Sequence, residues 1–114
     1  MSTLIINTPS GQVQPSKQSF EETLKRCVGV GFAMGKETHT KAQRCKKVII
    51  LDKDAKQKAV SVFLSIEKSA LPSTLSGLTR YDVNFEKPLK CQYRPERLNR
   101  NGIGIKDGIT IIVP

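Results

Sequence analysis

The clearest alternation in the chain runs from Lys58 to Ile66, where Val60, Val62, Leu64 and Ile66 share one parity and Ser61, Phe63 and Ser65 the other. Spacing with period two marks a strand with one covered face, and it points these aliphatics at a core. Just upstream, Val48-Ile49-Ile50-Leu51 is a continuous apolar run of strand length. The charged stretch from Asp52 to Gln57 is short enough for the two runs to form a hairpin. Farther on, Tyr81, Val83 and Phe85 alternate with polar residues, which places Tyr81 and Phe85 in the core. Leu89, Cys91 and Tyr93 repeat the pattern after a break at Lys87-Pro88. Thr3 to Asn7 reads as an opening strand, and Ile109 to Val113 reads as a closing one after a turn at Asp107-Gly108. Val28, Val30 and Phe32 alternate with Gly29 and Gly31, as in a strand that carries a bulge or tight bend.

The remaining segments are polar. Ser19-Phe20-Glu21-Glu22 matches a capping box, with Ser19 at the cap and Glu22 reaching back to it. The pattern dies at Gly29, so the segment is either a helix of about two turns or a strand with Leu24 inward. Met34 to Lys47 is basic and has no strong period, as expected of a protruding loop or a two-stranded wing. Ser69 to Leu78 and Pro95 to Gly104 are turn-rich loops. Five or six strand segments, at most one short helix and long basic loops describe a mostly-β domain. Such close strand spacing suggests a small closed barrel or a sandwich.

The length of 114 residues fits one domain spanning 1–114, and an apolar fraction of 38% fits a thin fold. Charge changes the picture more. Nineteen Lys and Arg against ten Asp and Glu give +9. That imbalance costs stability through self-repulsion, and a polyanionic partner relieves it. The charge is also clustered. Eight of the twenty-three residues from Lys36 to Lys58 are basic, among them Lys36, Lys41, Arg44, Lys46 and Lys47. A second cluster holds Lys87, Lys90, Arg94, Arg97, Arg100 and Lys106. Lys25 and Arg26 add to the first from the candidate helix. Clusters of this size neutralise phosphates and release counterions. Single-strand binders add aromatic platforms on which bases stack. The candidates are Phe32 at the lip of the first basic loop, Phe63 on the face opposite the aliphatic row, and Tyr93 beside Arg94. Core or rim packing competes for Phe32 and Tyr93, and a second-side core or a dimer contact competes for Phe63.

Catalytic constellations do not assemble. His39 is the single histidine and has no carboxylate at metal-ligand spacing, so it reads as a solvent-exposed loop residue. Gly29 and Gly35-Lys36 are separated by five residues where a phosphate-binding loop needs four, and Glu37 stands where that loop needs Ser or Thr. Asp52 and Asp54 flank a lysine-rich turn and read as hairpin solvation. Cys27, Cys45 and Cys91 have no zinc-site spacing and an odd count, which favours free thiols in a reducing compartment. No enzyme activity, metal or cofactor is expected. Met1 to Pro9 lacks the basic start and apolar run of a secretory leader, and no run is long enough to span a membrane.

The order of pieces in the C-terminal half carries a likeness. Val60-Ser61-Val62-Phe63-Leu64, then Gly77, then Tyr81-Asp82-Val83, then Gly108 and Ile109-Thr110-Ile111-Ile112-Val113-Pro114 resembles the helix-destabilising single-stranded DNA-binding proteins of filamentous bacteriophages. The resemblance implies a five-stranded OB-like barrel, a homodimer and sequence-tolerant coating of single-stranded DNA in the cytoplasm of a bacterial host. It also implies that aromatics and basic side chains on projecting loops hold the strand. The alternative is a protein-interaction module or inhibitor whose basic face meets an acidic host protein.

Overall fold

The chain runs β1 (Ser2–Asn7), α1 (Phe20–Arg26), β2 (Val28–Met34), α2 (Lys36–Ala42), β3 (Lys47–Asp52), β4 (Gln57–Lys68), β5 (Thr79–Phe85), β6 (Leu89–Cys91) and β7 (Ile103–Asp107). The computed structural model describes residues 2–8, 18–99 and 101–107. The protein is mostly β. Its strands join in the order β2-β5-β4-β3-β1-β7, with β6 on β4, and the sheet curls strongly into an open half-barrel compatible with a small OB-like barrel. Seven strands replace the expected five or six among the described residues, and two helices replace the single one. The expected Asp107-Gly108 turn and the strand from Ile109 to Val113 lie outside the described residues.

The hairpin of β3 and β4 forms as the pattern predicts, in a register from Lys47↔Val62 to Asp52↔Gln57. Asp52 closes it. Its side chain is buried and Oδ1 accepts from the Ala55 amide at 3.1 Å, so it builds the turn rather than solvating it. β1 lies parallel to β3 through the connection that carries α1, β2 and α2, and antiparallel to β7. The helix reading of 19–26 is the correct one. The Ser19 hydroxyl accepts from the Glu22 amide at 3.2 Å, and Cys27 ends the helix in the left-handed region. Glu22 does not return to Ser19, because its carboxylate takes the Arg26 guanidinium at 2.7 Å.

The stretch expected as a loop or wing contains α2. Seven residues make a marginal helix alone. Tertiary contacts hold it, since Ala42 and the following Cys45 are buried in the core. His39 stacks on Tyr81, with ring centroids 4.0 Å apart and planes 12° from parallel. His39 is therefore half-buried packing on β5 rather than a loop histidine in solvent.

Two apolar clusters lie on opposite faces of the sheet. The inner one gathers Leu4, Ile6, Phe20, Phe32, Met34, Val48, Ile50, Val83 and Phe85, among others, beneath the helices. The outer one is smaller and comprises Ile5, Ile49, Leu51 and Val60, with Cys91, Tyr93 and Leu98 packed against it. This arrangement reverses the expected faces of β4. Phe63 packs inward opposite Phe85, whereas Val62 and Leu64 point outward at 48% and 59% exposure. A bulge between Phe63 and Ser65 then shifts the parity and brings Ile66 inward against Val83. Period two identifies the strand but not which face the helices cover.

Candidate nucleic-acid interface

After β6 the chain leaves the ladder. Residues 92–99 cross the outer face without regular structure, where the alternation of Leu89, Cys91 and Tyr93 had suggested a strand continuing to Tyr93. Tyr93 and Leu98 turn down onto the outer cluster, which hides the apolar surface that strand pairing alone leaves bare. Lys58 of β4 and Glu96 form an ion pair at 3.7 Å, each side chain only 13% exposed. At the far end the Asn99 amide donates to the Ile103 carbonyl at 2.8 Å and leads into β7. The segment presses closely on that strand. A Cβ at Gly104 would run into the Arg97 carbonyl oxygen, so this crossing requires glycine. We call residues 92–99 the strap.

β7 pairs with β1 alone among the described residues. A groove of about 650 Å³ lies along β7, lined by Thr38 and Lys41 of α2, Arg97 and Asn99 of the strap, and Lys106 of β7. Each cation comes from a different element, and Lys41 belongs to one basic cluster of the sequence while Arg97 and Lys106 belong to the other. All three side chains lie on exposed residues. The Lys41–Glu37 contact at 3.6 Å is an exposed pair between neighbouring helix turns and holds Lys41 only weakly. Glu96 also lines the groove, but it faces Lys58.

Lys106 and Lys47 flank Thr3 in one row across β7, β1 and β3, so both lie on the outer face. Exposed Arg44 and Lys46 lie in the turn before β3, and the Lys46 amide donates to the Ser2 carbonyl at 3.0 Å. That bond docks the turn at the start of β1, the end of the sheet where Lys106 pairs with Thr3.

The other expected site residues are placed differently. Phe32 is only 9% exposed and belongs to the inner core, so it offers no open ring to a base. Phe63 and Tyr93 are half-buried, one against the inner cluster and one against the outer. Burial of Phe32 corrects the expectation of a platform there, and Phe63 and Tyr93 do not line the groove. Lys90 pairs with Glu21 of α1 at 2.9 Å, with its ammonium 6.0 Å from the centre of the Phe20 ring. It ties the first helix to β6 and does not line the groove. Arg26 is held by Glu22, and Lys25 is exposed beside it. Lys36 opens α2 and Arg94 projects from the strap, both exposed. Arg100 lies outside the described residues. Thr38, Asn99 and Glu96 were not anticipated as groove residues. Lys106 was visible only as a member of a basic run.

Among the described residues, no group of His, Cys, Asp and Glu is arranged to hold a metal ion. Among the described residues, Cys27, Cys45 and Cys91 form no disulfide. No helix is long and apolar enough to cross a membrane among the described residues. Compared with protein-family models, curated proteins and solved structures, the chain matches none.

Proposed function

We propose that this chain binds single-stranded nucleic acid, DNA in the first place, by its phosphate backbone along the β7 groove. The observation that carries the reading is the convergence of Lys41, Arg97 and Lys106 from separate elements on one groove in a chain of net charge +9. Separate cations along an open groove suit successive phosphates of an extended strand. Phosphate contacts of this kind position a strand without reading its sequence.

Burial of Phe32 and the packing of Phe63 and Tyr93 give this binding mode a distinct signature. Base stacking contributes roughly 1–3 kcal/mol per base where platforms exist, and no such term operates in this groove. An oligonucleotide of abasic sugar-phosphate units should therefore bind within about threefold of oligo-dT, since phosphates supply the affinity. A loss of a hundredfold on removing the bases contradicts a backbone-only site. The site itself is tested by lysine acetylation read by mass spectrometry. Bound oligo-dT should protect Lys41 and Lys106 and leave Lys25 and Lys53 reactive. Equal reactivity of all four with and without the strand rejects the groove.

The proposal includes a homodimer through the outer face of β4. Val62 and Leu64 are exposed there, and Leu89, 55% exposed, lies opposite Val60. Lys47 stands opposite Val62 within this row, and Glu67 stands opposite Asp82 beyond its Leu64 end. A two-fold axis through this row joins the apolar residues of the two copies. Light scattering should give twice the chain mass for the native protein and the single chain mass for Leu64→Glu. A native monomer at high micromolar concentration removes the dimer.

A further inference from the structure

Glu96 is an oddity in a groove meant for phosphates. It is a carboxylate at a polyanion site, and it immediately precedes Arg97. Its pairing with Lys58 is equally unusual, because both side chains are almost covered although they lie on the outer face of a sheet. Burying two charges costs free energy that their attraction does not fully return, so such a pair is weak evidence for stability. Its best-attested use is to fix one register among several. The strap needs such a device. Residues 92–99 have no ladder to set their position, and the packing of Tyr93 and Leu98 is non-directional. Lys58 sits within the ladders of β4, between Leu51 and Cys91, and does not slide.

We propose that the Lys58–Glu96 pair is a register lock that presents Arg97 to the strand, which makes Glu96 a positioning residue for nucleic-acid binding. The inference rests on the nucleic-acid reading of the groove. The lock fixes the strap one residue before Arg97, and Gly104 fixes it at the Arg97 carbonyl itself. These two points fix the backbone at Arg97, which lines the groove together with Lys106. Arg94, two residues before Glu96 and outside this clamp, is not positioned by it.

The consequence runs against simple electrostatics. Glu96→Gln removes one negative charge, so the chain goes from +9 to +10, and a charge-only site should bind phosphates more tightly. The lock predicts binding to oligo-dT five- to tenfold weaker at 0.15 M salt. Lys58→Gln/Glu96→Gln keeps the charge at +9, leaves no lone buried charge, and should weaken binding to the same extent. It also carries the comparison if the single variant does not fold. The reversed pair Lys58→Glu/Glu96→Lys should return affinity to within about twofold of native.

A general loosening of the structure is separated from positioning by a cycle with Arg97→Ala. That substitution should cost its full effect in the native background and less than twofold when Glu96 is already Gln. Anisotropy titrations of these proteins, each shown to be folded by circular dichroism, decide the matter. Unchanged or tighter binding by the Gln variants, additive effects in the cycle, or failure of the reversed pair to recover each overturn the lock while the groove stands. Absence of any binding by the native protein overturns the nucleic-acid reading, and the lock with it.

Discussion

Replacing Lys41, Arg97 and Lys106 together by alanine should weaken binding to oligo-dT on the order of 100-fold at physiological salt. Three charge-assisted contacts are lost, each worth about 1 kcal/mol in an open groove, below the usual range for hydrogen bonds to charged groups because water competes. The fold should survive, because all three side chains are exposed and none belongs to either apolar cluster. A matched control replaces Lys25, Lys53 and Lys87, which removes the same charge from outside the groove. Affinity of the control should fall by less than about fivefold, since it alters only the long-range field. Equal losses for the two proteins would mean that the chain binds through net charge alone. Filter binding at fixed salt is sufficient to compare them.

The second large effect is on stability. Phe32→Ala should destabilise the chain by about 3–5 kcal/mol, the usual range for removing a buried aromatic ring, against a total of roughly 5–15 kcal/mol for a domain. Phe32 pairs with Tyr81 across the β2–β5 ladder, and its ring lies against Gly29, where a Cβ would approach it to 2.8 Å. Gly29 is thus small because Ile6 and Phe32 need the space. Urea unfolding with fluorescence or circular dichroism measures the loss directly. Phe32→Leu, which keeps most of the volume, should bind oligo-dT within about twofold of native, since exchanges that conserve volume are tolerated. A stacking platform would behave in the opposite way, with stability nearly unchanged and binding lost.

These two expectations show where sequence was informative. Alternation exposed β4 and β5, because period two follows from strand geometry and requires no partner, and the apolar run from Val48 to Leu51 added β3 and the hairpin. Ser19 offered α1 as one of two readings for the same reason, since a cap is local chemistry. The face of β4 was not legible. Val62 and Leu64 look like core residues until the sheet curls and the helices cover the other side. α2 escaped because only Ala42 of its seven residues is buried, and its anchor is a stack between His39 and Tyr81, far apart in the chain. β7 escaped because Gly104 interrupts its apolar residues, and that glycine answers to the Arg97 carbonyl rather than to the strand.

The site follows the same division. Clustering of basic residues was visible, and it raised the expectation of a polyanionic partner. Which cations meet was not, because the groove depends on how α2, the strap and β7 pack. Lys90 illustrates the difficulty. It sits in the middle of a basic cluster, yet its ammonium serves Glu21, sixty-nine residues away. Phe32 misleads in the same way, since a ring beside a basic segment satisfies a binding pattern and a core pattern equally well.

Salt dependence tests the central claim most directly. Anisotropy of labelled oligo-dT should be followed from low to physiological salt for the native chain and the Lys41/Arg97/Lys106 alanine variant. The native protein should give a slope of log K against log salt of about −2 or steeper, from roughly −0.7 per phosphate neutralised, and the variant a slope shallower by about 2. A native slope near zero, or the same slope for both proteins, contradicts a groove in which these three cations hold the strand.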